Sequence, residues 1–141
     1  MRVGRMYHRS LRLADGRVLV SSNEQAELFD PKTEAWTQLP DLPKGLFGYV
    51  LASLPDGSAL LVGSATTGAG RAFVYDPAGN RWRRAAPPKV GRYSGHTLTP
   101  LGDGTVLLVG GAIGPSRASG GSVLTDVVER YDPKADAWRP A

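Results

Sequence analysis

The chain has 141 residues, a hydrophobic fraction of 41%, a net charge of +4 and no cysteine. That length suits one compact domain with enough apolar material for a core, and the missing thiols exclude disulfides, thiolate metal sites and cysteine nucleophiles within the chain. Residues 1–20 carry Arg2, Arg5, Arg9, Arg12, Asp15 and Arg17 and no unbroken apolar run, so no secretory signal or membrane span is expected in the chain as given, and the compartment stays open.

The 18 Gly and 11 Pro stand at spaced positions between apolar runs, which is the punctuation of short strands and tight turns. Leu11-Arg12-Leu13 leads into Asp15-Gly16, and a second apolar stretch, residues 17–21, follows. Asp-Gly between strand-forming residues marks a hairpin, because Gly16 supplies a positive φ without steric cost. Ser22-Asn23 ends the second strand, residues 26–29 make a third, and Phe29-Asp30-Pro31 opens a turn. There the carboxylate can cap backbone amides while Pro presets φ. A short fourth strand carries Trp36, a ring large enough to fill the space between two sheets.

The same order then returns twice. Asp56-Gly57, the run 59–62, Gly63-Ser64, the run 72–75, Tyr75-Asp76-Pro77 and Trp82 form a second unit. Asp103-Gly104, the run 106–109, Gly110-Gly111, the run 127–131, Tyr131-Asp132-Pro133 and Trp138 form a third. Each Trp stands six residues after the Asp-Pro aspartate, whereas the gap from the Asp-Gly to the Asp-Pro aspartate grows from 15 to 20 to 29. Insertions therefore collect in one loop per unit, between the second and third strands. The near-continuous apolar second strands belong in the middle of a stack of sheets, buried on both faces. The expected fold is all-β: three four-stranded antiparallel blades, at about residues 4–40, 45–87 and 91–140 of a single domain spanning 1–141.

The Arg and His ahead of the first strand, the Asp-Gly, the apolar strand closed by a Gly pair, the aromatic-Asp-Pro and the Trp together resemble the Kelch repeat in its bacterial variety. Gly91 to Leu98, Leu107 to Gly111, Glu129 to Pro133 and Trp138 form the cleanest copy. Unit 1 departs from the pattern with Ser22-Asn23 for the Gly pair, and unit 2 with Tyr49 for the His. The resemblance implies a β-propeller, of which three blades are a part. Met1 enters almost mid-repeat, so a fragment of a six- or seven-bladed propeller is expected, the other reading being a half-propeller that pairs with itself to close a six-bladed ring.

Arg5-Met6-Tyr7-His8 also looks like the Tyr-His metal-ligand segment of Kelch oxidases of the galactose and glyoxal oxidase group. Those enzymes hold copper between two Tyr and two His and use a Tyr cross-linked to Cys, a residue this chain lacks. His8 and His96 stand at the same place in two units, seven residues before the Asp-Gly aspartate, which points to repeat architecture. No cofactor or catalytic residue is assigned. The only dense basic cluster, Arg81-Trp82-Arg83-Arg84, has its Trp committed to the repeat, so no nucleic-acid role follows. The repeated carboxylates Asp15, Asp56, Asp103, Asp30, Asp76 and Asp132, with Gly16, Gly57 and Gly104, are turn formers.

What remains is recognition of a protein or peptide by loops on a rigid scaffold. By resemblance, partners meet the loops entering each first strand and those joining second to third strands. The residues expected there are Arg5, Tyr7, His8, Tyr49, Arg71, Arg92, Tyr93, His96 and, in the Gly/Ser-rich third loop, Arg117.

Overall fold

A computed structural model describes residues 4–22, 24–113 and 123–141. Among these residues the regular structure is all strand, with no helix and hence none long and apolar enough to cross a membrane. The first sheet contains β1 (Arg9–Arg12), β2 (Val18–Ser22), β3 (Gln25–Asp30) and β4 (Ala35–Gln38) in sequence order. The second contains β5 (Phe47–Ser53), β6 (Ala59–Ser64), β7 (Gly70–Asp76) and β8 (Arg81–Ala85). The third takes β9 (Thr97–Pro100) and β10 (Val106–Val109), then β13 (Val128–Asp132) and β14 (Ala137–Pro140). Between its middle strands a separate two-stranded hairpin, β11 (Ala112–Ile113) with β12 (Val123–Leu124), rises from the long loop. Every blade is an antiparallel meander, as the repeat predicts.

The recurring turns explain why the three sheets match. In each blade a Leu amide bonds across the Asp-Gly turn (Leu13 to the Arg17 carbonyl, Leu54 to Ser58, Leu101 to Thr105, 2.8–2.9 Å), leaving a three-residue loop. Its last residue is Gly at φ 91°, 85° and 85°, the conformation in which a side chain is strained. The Asp carboxylate accepts the amide two residues on in all six turns: Arg17, Ser58 and Thr105 after Asp-Gly, and Lys32, Ala78 and Lys134 after the Asp-Pro aspartate. The Asp-Pro turn then ends on a left-handed residue, Glu34, Asn80 or Asp136.

Side chains alternate across each strand, and the two faces of the middle blade go to different neighbours. Ala59, Leu61 and Tyr75 join the core against blade 1, with Leu19, Ala26 and Leu28. Leu60, Val62, Ala72 and Val74 join the core against blade 3, with Val106, Leu108 and Tyr131. All six residues of β6 are buried as a result. The first strands lie side by side, β1 next to β5 and β5 next to β9, as the inner edges of radially stacked blades.

The three Trp residues make like ring contacts within their own blades. Phe29–Trp36, Tyr75–Trp82 and Tyr131–Trp138 have centroids 5.0–5.2 Å apart at tilts of 39–48°. Trp82 Nε1 donates to the Pro40 carbonyl of the preceding blade at 3.1 Å, and Trp138 Nε1 to that of Ala86 at 2.7 Å. Trp82 and Trp138 thus face backwards and each wedges two sheets together.

Candidate partner-binding site

The sequence places Arg5, Arg92 and His96 at a partner surface, but the structure withdraws all three into the scaffold. Arg5 Nη2 meets Glu27 Oε2 at 2.9 Å and Arg92 Nη1 meets Glu129 Oε2 at 2.7 Å, with every one of these side chains at most 4% exposed. The guanidinium of Arg92 also donates to the Gly110, Val90 and Val127 carbonyls, and Glu129 receives the Lys89 and Val90 amides. A fork with several donors suits this, because a buried charge must be both paired and hydrogen-bonded. The pair recurs at equivalent positions in blades 1 and 3. Blade 2 has Leu46 and Phe73 there, both packed against the core between blades 1 and 2.

His96 is buried with Nε2 3.2 Å from the Val62 carbonyl on β6. Burial lowers its pKa, the nearby Arg92 and Arg9 charges acting in the same sense and the Val62 carbonyl opposing them. Tyr49 does the equivalent work one blade earlier, its hydroxyl 3.1 Å from Ser21 Oγ on β2, and burial raises its pKa. Both residues latch one blade onto the second strand of the blade before it. His8, at the same repeat position, is exposed, because blade 1 has no described blade before it to cover the ring.

What stays accessible gathers at the loop end of blades 1 and 2, around a cleft of about 580 Å³ lined by Tyr7, Arg9, Glu24, Gln25, Phe47 and Tyr49. Tyr7 is 85% exposed, on a backbone at φ 56°. Arg9, on β1, is held in place by the carbonyls of Tyr49 (3.3 Å from Nε) and Tyr7 (3.3 Å from Nη1). Phe47 stacks on Tyr93 of the next blade, 5.7 Å between centroids and 7° between planes. That stack needs Gly48, whose φ is 58° and where an added Cβ would stand 1.6 Å from the Tyr93 carbonyl oxygen. Arg71 Nη1 donates to the Lys44 carbonyl at 2.9 Å, fixing the neighbouring loop.

Of the expected residues, Tyr7, Tyr49, Arg71 and Tyr93 therefore lie at or beside this cleft, and His8 is next to it in sequence. Arg117 lies outside the described residues. Sequence reasoning missed Arg9 and Phe47, although both flank the first strands whose entry loops were expected to carry binding. A second cleft of about 580 Å³ opens at the turn end, between Pro55, Asp56, Asp103, Thr105 and Lys134. Its carboxylates are already taken: Asp56 by the Ser58 amide and hydroxyl, Asp103 by Thr105 and an ion pair with Arg130. The loop end combines exposed aromatics with oriented guanidinium groups, the side chains that dominate binding energy at protein interfaces. Among the described residues no three His, Asp or Glu side chains converge as metal ligands.

No family profile matches the chain. Beta-scruin of Limulus polyphemus is 25% identical over 145 residues, covering 90% of this chain and 15% of that protein. Kelch-like protein 34 of Homo sapiens is 28% identical over 133 residues, covering 89% of this chain and 18% of that one. The chain thus spans less than a fifth of the length of these curated relatives. Among solved structures, that of YjhT overlays with a TM-score of 0.77 at 16% identity, covering all of this chain and 51% of its own.

Proposed function

We propose that this chain, a Kelch-repeat β-propeller by its repeat and by its blades, is a non-catalytic scaffold that receives a protein or peptide partner at the loop-bearing end. The observation that carries the reading is the cleft beside Tyr7, Arg9 and Phe47, where accessible aromatics and an oriented guanidinium stand on a frame whose neighbouring Arg5–Glu27 pair is buried. Its similarity to Kelch-like protein 34 supports the Kelch-type repeat on which the proposal rests. A photo-crosslinkable residue at Phe47 is expected to capture a partner peptide, and one at Pro133 on the turn end is not. Turnover of a sugar, alcohol or aldehyde, with equal crosslinking at both ends, would overturn the proposal.

The alternative, a part of a Kelch radical-copper oxidase, draws on Tyr7 and His8 standing adjacent and exposed. The Cys of such a radical site would have to come from outside this chain. Stoichiometric copper binding lost on His8→Ala would favour it over the scaffold.

A further inference from the structure

Among the described residues two blade faces are left without a neighbouring blade, and they are complementary. The backward face of each blade presents an aromatic and Trp pair over two apolar residues of the second strand. Tyr75, Trp82, Ala59 and Leu61 fill that role against blade 1, and Tyr131, Trp138, Val106 and Leu108 against blade 2. Blade 1 offers the same set, Phe29, Trp36, Val18 and Val20, but Phe29 is half-buried where Tyr75 and Tyr131 are buried, and no carbonyl reaches Trp36 among the described residues. The forward faces of blades 1 and 2 answer with Leu19, Ala26 and Leu28, and with Leu60, Ala72 and Val74. The equivalents on blade 3 are Leu107, Val128 and Arg130, the last neutralised by Asp103.

Exposure follows the same division. Of the eight large hydrophobic side chains exposed among the described residues, two are on blade 1 (Met6, Tyr7), five belong to blade 3 or its hairpin, and only Phe47 is on the middle blade. Apolar surface concentrated on the outer blades of a stack marks association sites.

We infer that the backward face of blade 1 docks on the forward face of blade 3 of a second copy, His8 bonding the Val109 carbonyl, so that two chains close one ring. The choice of a second copy rests on the latch chemistry. The seam between blades 1 and 2 pairs a Tyr hydroxyl with a Ser hydroxyl, whereas that between blades 2 and 3 pairs a His ring with a Val carbonyl. His8 is exposed and is of the second kind, and Val109, the repeat equivalent of Val62, is exposed on the opposite face. This chain therefore carries both halves of one latch type. Three blades also overlay on 51% of the YjhT chain, so two copies supply the blades of a full propeller. Such a head-to-tail contact closes after two copies if the rotation per chain is half a turn.

The inference is independent of what binds the loop end, and sedimentation equilibrium tests it. The wild-type chain is expected at twice its 15.0 kDa mass. His8→Asp and Val109→Arg should each sediment as one chain, with far-UV dichroism confirming folded blades, and Trp36→Lys serves as a second variant of the same face. Mixing His8→Asp with Val109→Arg should restore a two-chain species through the one seam that neither change touches. A wild-type mass of one chain would overturn the inference and assign the faces to further blades of a longer polypeptide. A two-chain mass that no variant alters would overturn it as well.

Discussion

At the scale of the residue, the molecule shows how one repeat position acquires different chemistry from its neighbours. Tyr75 and Tyr131 donate to Asn80 and Asp136 at 3.0 and 2.7 Å, whereas Phe29 has nothing to donate. Asp136 also receives the Ala86 amide at 3.0 Å and so ties blade 3 to the segment leading from blade 2. Burial pulls the Asp136 pKa up, but the Tyr131 hydroxyl, the Ala86 amide and the Arg83 charge outweigh it and hold the carboxyl low. Tyr75→Phe, which copies blade 1, should cost about 1 kcal/mol, and Tyr131→Phe, which removes a bond to a charged acceptor, about 1.5–3 kcal/mol, in chemical denaturation. His96 gives a pH dependence. Its folded pKa lies below the ordinary 6.5, so protons bind the unfolded chain more readily. Its contribution is complete above 6.5 and is lost as pH falls below that value. Melting temperature should drop from pH 7 towards pH 5, and His96→Gln should flatten that drop. Asp15, Asp76 and Asp136, all held below 3.8, act in a separate and more acidic window.

At the scale of the element, the turns were legible in the sequence because their chemistry is local. A Gly needing positive φ or an Asp capping the amide two residues on declares itself within five residues, and Gly16, Gly57, Gly104 and the six turn carboxylates all behave so. The Arg5–Glu27 and Arg92–Glu129 pairs were not legible, since their partners lie 22 and 37 residues apart. A signal was nevertheless present. Glu27 and Glu129 both stand three residues before the Asp-Pro aspartate, and the middle unit replaces Glu by Phe73 and the matching Arg by Leu46. Arg92→Leu alone should destabilise the fold by about 3–5 kcal/mol, because it strands a buried carboxylate. Arg92→Leu with Glu129→Phe, which imports the pair of blade 2, should recover part of that loss in the same denaturation assay. The recovery is partial because the Lys89 and Val90 amides lose their acceptor. The β11–β12 hairpin also escaped the sequence reading, because two-residue strands beside a Gly/Ser tract carry no alternation to detect.

At the scale of the whole molecule, what a side chain can do depends on whether another blade covers it. His8 and His96 stand at the same repeat position, yet one is exposed and the other buried against Val62. Of the residues expected at a partner surface, Arg5, Arg92 and His96 are accordingly buried between elements, whereas Tyr7 stays exposed beside Arg9 and Phe47. The stacked geometry itself is open to a direct measurement: hydrogen exchange of the three indole N–H groups, followed by NMR in the Val109→Arg chain, where blade 1 stays uncovered. Trp82 and Trp138, bonded to Pro40 and Ala86, should exchange slowly and Trp36 fast. Equal exchange at all three would contradict the stacking of each blade on the one before it.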